Sequence, residues 1–211
     1  MEQKYFIFKF KKKNLYKEIL SKKEQMISVA NPLLKMFNGN RGTIFLIVFV
    51  ILVTTTFFGT FYPPDRKLEN ELRQMVDEFK GSNVYSVALK IFSNNALIAS
   101  GMIIPLFGIG LSIYSTFSTG VAISSISSIS NNLVNPQVAF FGVLIMPHGL
   151  LEYISYSLIV TENVILTYKI IGRQKDLKNE LGVALIAMLL SYILLLFAGL
   201  IEAFFISPEL T

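Results

Sequence analysis

The chain has no cysteine, a single histidine and few charges. Without cysteine there can be no disulfide, thiolate nucleophile or Cys-based metal site, and nothing marks the redox compartment. With one histidine, any Ser-His-Asp arrangement would have to use His148, and no serine lies in a nucleophile elbow. There is also no phosphate-binding glycine loop ending in Lys-Ser/Thr and no His-Glu-x-x-His pair. No catalytic residue, metal site or cofactor is therefore expected, and the chain does not read as an enzyme. Charged residues are 16% of the total and hydrophobic ones 53%, with a mean hydropathy of +0.56. A soluble domain carries about 25% charged residues.

The missing charge is concentrated in long blocks. Thr43–Phe61 and Leu181–Ile201 have no charged side chain, and Ile91–Leu151 runs 61 residues without one. About 20 apolar residues cross the hydrocarbon core of a bilayer. Blocks of this length predict an all-α, polytopic membrane bundle of about five transmembrane helices. Net charge is +5, and ten of the nineteen Lys and Arg precede Thr43. That clustering is a topological signal and an attraction to anionic headgroups rather than to nucleic acid. Residues 1–42 form a basic juxtamembrane segment in which Phe6, Phe8, Phe10, Leu15, Ile19 and Leu20 alternate with lysines. It would either lie in the headgroup plane or be a solvated tail that fixes orientation. The first apolar block starts too late for a cleaved signal peptide.

The transmembrane domain is expected over 43–208, with helices at about 43–61, 96–114, 115–130, 138–160 and 181–206. The first should end at Tyr62-Pro63-Pro64-Asp65, since proline cannot continue a helix. Between them, 66–90 carries charges of both signs, and Leu68, Leu72, Met75, Val76 and Phe79 recur at helical spacing, which predicts an amphipathic surface helix. The stretch 96–130 is too long for one crossing, so it should fold as a short Gly/Ser-rich hairpin turning near Tyr114–Ser118. Basic short loops favour the cytoplasm. Five crossings keep Lys169, Arg173, Lys175 and Lys178 on the side of the basic N-terminus, whereas four would not. A multi-pass plasma-membrane protein with a cytoplasmic N-terminus and an extracytoplasmic C-terminus follows.

Polar groups within such helices are costly and worth weighing singly. In Met146-Pro147-His148-Gly149-Leu150-Leu151-Glu152, His148 and Glu152 share a face at i, i+4 and could pair. Pro147 would kink the helix, and Gly149 would let a neighbour approach. The pair reads either as a fastener between helices or as a proton- or cation-sensitive switch. Glu202 should face protein or snorkel to the interface. Asn94-Asn95 would cap the second helix and Pro105 would kink it. Gly101, Gly108, Gly110 and Gly120 suit helix packing. Ser124, Ser125, Ser127, Ser128 and Ser130 would line a polar groove or bond back to their own helix. These small-residue faces exceed what five short helices need, which points to a homodimer.

Asn94-Asn95 before a Gly-rich hairpin, then Pro147-His148-Gly149-x-x-Glu152, then Gly199-x-Ile201-Glu202-Ala203-Phe204-x-x-x-Pro208 occur in that order. In these elements the chain resembles the stage II sporulation protein M (SpoIIM) family, from roughly Thr43 to Pro208. It departs from the family at Ser118-Thr119-Gly120, where relatives commonly carry Asn-Gly, and at Ser207-Pro208, often Thr-Pro. The resemblance implies a polytopic protein that recruits cell-wall-degrading partners to a membrane without being the hydrolase itself. Many relatives come from organisms that do not sporulate. Two readings follow: a non-enzymatic scaffold that binds membrane or extracytoplasmic proteins or shapes the bilayer, and a transporter or permease subunit with its site at His148 and Glu152.

Overall fold

The structure, a computed structural model, describes residues 39–63, 66–79, 82–129, 134–173 and 177–206. Most of the predicted basic segment 1–42 lies outside the described residues; only its last residues, from Gly39, are seen, and they already belong to a helix. Seven helices, and no strand among the described residues, follow in order: α1 Gly39–Gly59, α2 Arg66–Phe79, α3 Val84–Met102, α4 Phe107–Ile129, α5 Pro136–Ile145, α6 Pro147–Ile171 and α7 Leu177–Ile206. Four of them, α1, α4, α6 and α7, are long and apolar enough to cross a membrane. In hydrocarbon no water is available to bond a free backbone group, and a helix satisfies its N–H and C=O groups internally.

The bundle is apolar outside and partly polar inside. Leu46, Ile47, Val50, Ile51 and Phe58 on α1, and Leu185, Leu189, Ile193 and Phe197 on α7, are exposed. Thr56, Ser112, Thr116, Ser125, Ser155, Asn163 and Ser191 are buried. Lipid tails are as apolar as leucine, so burying leucine drives little; close packing of small residues and interhelical hydrogen bonds take over. α6 is the central helix, and its Tyr153, Tyr156, Ile159 and Val160 join Val48 and Leu52 of α1, Ala99 and Met102 of α3 and Leu195 of α7 in the main core. A smaller core, Phe79, Val87, Ala88 and Ala203, ties the α2–α3 junction to the end of α7.

α1 and α4 touch backbone to backbone. A Cβ placed on Gly59 would come 2.3 Å from the Phe117 carbonyl oxygen, and one on Gly120 would come 2.0 Å from the Thr56 oxygen. Along α4 the buried Gly108, Ser112, Thr116, Gly120 and Ser124 repeat every four residues, a small-residue ridge that permits this approach.

Three predicted boundaries move. Asn94-Asn95 do not cap a helix: both lie inside α3, whose N-cap is Asn83, its side chain accepting from the Tyr85 N–H at 3.0 Å. The polar pair interrupts the hydropathy but not the helix, because Val87 and Ala88 upstream are buried against α7. The hairpin turns at Ile103–Leu106, not at Tyr114–Ser118, so 107–129 is one helix. Pro105 sits in this turn rather than kinking a helix, since the residue before a proline is pushed away from helical geometry. Leu106 closes the turn with φ 68°, a left-handed conformation that costs a non-glycine residue about 1–3 kcal/mol.

The fourth predicted helix, 138–160, is two. Met146, extended at ψ 141°, separates α5 from α6, and Pro147 opens α6. The corner is tight enough that a Cβ on Gly149 would lie 2.1 Å from the Val143 carbonyl oxygen. α6 then continues to Ile171, carrying Thr161, Glu162 and Asn163 in its buried face where a charged loop was expected.

Candidate functional site

Two polar clusters lie along α6. The first gathers the residues singled out in the sequence. Asn95 of α3 donates through Nδ2 to Glu152 Oε1 of α6 at 2.7 Å. Glu202 of α7 lies close enough to Glu152 for their carboxyl groups to interact electrostatically, and Tyr156 is within electrostatic reach of both. Three helices thus converge on two carboxyl groups and an amide. The expected His148–Glu152 bond is not made. Glu152 turns to Asn95 instead, while His148 Nδ1 is buried with no hydrogen-bond partner and its ring lies 6.2 Å from that of Phe205. His148 sits in the first turn of α6, immediately after the break at Met146. Asn94 is not part of the cluster; it is exposed on the outer face of α3. Gly120 and Pro105 lie away from it, in the α1–α4 contact and the α3–α4 turn.

The second cluster was not anticipated. The Arg41 guanidinium, near the start of α1, bonds Glu162 of α6 through Nη1 and Glu180 of α7 through Nη2. Lys169 Nζ donates to the other oxygen of Glu180 at 2.6 Å. Arg41, Glu162 and Glu180 are almost fully buried, Glu180 being 1% exposed, while Lys169 is 17% exposed at the edge of the cluster. Two cations meet two carboxylates here, which is what makes burial of four charges tolerable. In the sequence, Arg41 belongs to the basic segment 1–42 and both glutamates fall in the charged stretch between the predicted helices 138–160 and 181–206. The available signal was the helical phase of Glu162 with Tyr156, Ile159 and Leu166, all on the buried face.

Between the clusters, α6 is pinned to its neighbours. Asn163 Nδ2 donates to the carbonyls of Met102 at 2.6 Å and Ile104 at 2.7 Å, the free ends of the α3 break. The Thr167 hydroxyl accepts from the Leu106 N–H at 3.0 Å and donates to Asn163 Oδ1 at 3.0 Å. The Ser100 and Tyr192 hydroxyls bond at 2.6 Å, joining α3 to α7. Of the clustered serines, Ser130 lies outside the described residues, and Ser124, Ser125 and Ser127 are buried; Ser125 bonds back to the Val121 carbonyl of its own helix and Ser127 to the Val134 carbonyl. Among the described residues, no group of three or more His, Asp or Glu is placed to hold a metal ion.

An apolar exterior, a small-residue and polar interior and carboxyl groups held within the bundle define a polytopic helical membrane protein. The stage II sporulation protein M family model matches residues 44–208, most of the chain, and the protein belongs to that family. No curated protein and no solved structure matches it.

Proposed function

We propose that this protein is a non-enzymatic membrane scaffold that presents a docking surface to partner proteins on the outer side of the plasma membrane. The observation that carries the reading is α2. Its Leu72 and Phe79 turn toward the bundle while Arg66, Lys67, Glu71 and Arg73 are exposed. Lys90 of α3 steadies it, bonding Glu78 at 3.2 Å and lying 5.6 Å over the Phe79 ring. A short helix held at the bundle end with its charged face outward suits recognition of another protein, where charges set orientation and partner choice. The polar pins along α6 suit a platform better than a rocking carrier.

In this reading α3 is the fifth crossing. Its 19 residues extend about 28 Å, from Ala203 near the end of α7 to Asn163 of α6. Arg41 and the end of α6 then lie at the cytoplasmic end, with α2 and the end of α7 at the outer end, in line with the positive charge of residues 1–42. The test is cross-linking in native membranes with the chain intact and with Arg66, Glu71 and Arg73 changed to serine. The scaffold reading expects specific cross-linked partners that disappear in the variant; an unchanged pattern would overturn it.

One observation favours a second reading, a transporter or permease subunit. Glu152, Glu202 and Asn95 converge from three helices within the apolar part of the bundle, as at ion sites of carriers. Purified protein in liposomes that moves protons or cations, with the movement lost in Glu152→Gln, would favour it over the scaffold.

A further inference from the structure

One face of α3 is buried through Val87, Ala88, Ala99 and Met102, and the Ala88 carbonyl oxygen lies 3.0 Å from the Cβ position of Gly199 on α7. The opposite face carries Ser86, Leu89, Lys90, Ser93, Asn94 and Leu97, all exposed. Asn94 is ten residues from the start of α3 and eight from its end, about 15 and 12 Å along the axis. With α3 as a crossing, that is the middle of the hydrocarbon. The adjacent asparagines divide: Asn95 turns inward to Glu152, and Asn94 turns outward. Its one hydrogen bond, Nδ2 to Asn95 Oδ1, is 3.5 Å long, at the limit of the interaction.

Lipid cannot satisfy an amide at that depth. A soluble protein cannot reach it, so its partner has to come from another membrane helix. We propose that the partner is a second copy of this chain, docked through α3 about a two-fold axis along the membrane normal. An asparagine amide is both donor and acceptor. Two copies related in this way place both Asn94 side chains at one depth, where they exchange two hydrogen bonds; a two-fold interface is self-complementary by construction. The rest of the face fits close approach. Leu89, Ser93 and Leu97 form one ridge at four-residue spacing and Ser86, Lys90 and Asn94 the next, with the small Ser93 beside the amide. Lys90 does not oppose the contact, because Glu78 of its own chain neutralises it and its stem reaches toward the bundle end.

The absence of cysteine makes the test clean. Full-length Ser93→Cys protein, oxidised in native membranes, should yield a disulfide-linked dimer of the 23.7 kDa chain, while Leu46→Cys on the exposed lipid face of α1 should not. In lipid bilayers at low protein density, Asn94→Leu should weaken the dimer about tenfold and Asn94→Gln should retain most of it. Three results would each overturn the proposal. The first is a Ser93→Cys link to a different polypeptide, and the second is dimerisation unchanged in Asn94→Leu. The third is reaction of Asn94→Cys with a membrane-impermeant thiol reagent, which would place it in water.

Discussion

Ser155 of α6 and Ser191 of α7 exchange hydrogen bonds: each hydroxyl donates to the other's carbonyl oxygen at 3.0 Å, and both residues are fully buried. The exchange needs two backbones close enough for short side chains to bridge them, with Ala184, Ala187, Ala198 and Gly199 along the same buried face of α7. Bonds of this kind in membranes average about 0.6 kcal/mol. Ser155→Ala and Ser191→Ala should each lower stability by roughly that amount, measured by reversible unfolding in mixed micelles. The double variant should cost close to the sum, because each hydroxyl makes its own bond.

Arg41 presents the opposite energetic case. Arg41→Met leaves Glu162 and Glu180 buried without their guanidinium, and losing one partner of a buried pair costs about 3–5 kcal/mol. Thermal unfolding should show a large fall. The triple variant Arg41→Met, Glu162→Leu, Glu180→Leu should recover much of it, since it removes the arginine and both carboxylates together and leaves only Lys169, 17% exposed, to turn toward water. A triple variant no more stable than Arg41→Met would sink this account.

The glycines divide by what surrounds them. Gly120→Ala drives a methyl into the Thr56 carbonyl and should cost about 1–3 kcal/mol by overpacking. Gly110→Ala and Gly142→Ala have nothing within 4 Å of the new atom, and alanine in a helix gains about 0.5–1 kcal/mol over glycine. The same unfolding assay should therefore move in opposite directions for the two sets.

Asn163→Leu removes the donor to the Met102 and Ile104 carbonyls, at a cost of about 1–3 kcal/mol for unsatisfied buried groups. Hydrogen exchange should rise first around Ile103–Phe107, before global unfolding. Leu106→Gly should offset part of the loss by relieving the positive φ. Uniform exchange along the chain would show that the break does not depend on Asn163.

How the fold was legible follows from how the information is stored. The long uncharged blocks announce membrane helices because a charge in hydrocarbon is costly wherever it falls, and that rule acts residue by residue. Helix ends were harder. Asn94-Asn95 looked like a cap because a run of apolar residues begins after them, yet a helix passes through polar residues when another helix supplies a partner, as Glu152 does for Asn95. Pro105 and Pro147 mark two of the helix breaks, but their effect on the chain depends on what receives the freed backbone groups: at the first, Asn163 and Thr167.

The candidate residues divide in the same way. Glu152, Glu202 and Asn95 were each visible as polar side chains in apolar surroundings, although their convergence from three helices was not. Arg41, Glu162 and Glu180 lie 121 and 139 residues apart along the chain, and each stood at the margin of an apolar block, where charge is ordinary. Composition and the placement of charge determined by themselves that this is a helical membrane protein, because transfer into lipid depends on the local side chain alone. Which polar groups meet, where helices break and which amide faces outward were decided only by the tertiary structure. A hydrogen bond or buried ion pair requires two groups at one point in space, and that coincidence is a property of packed helices.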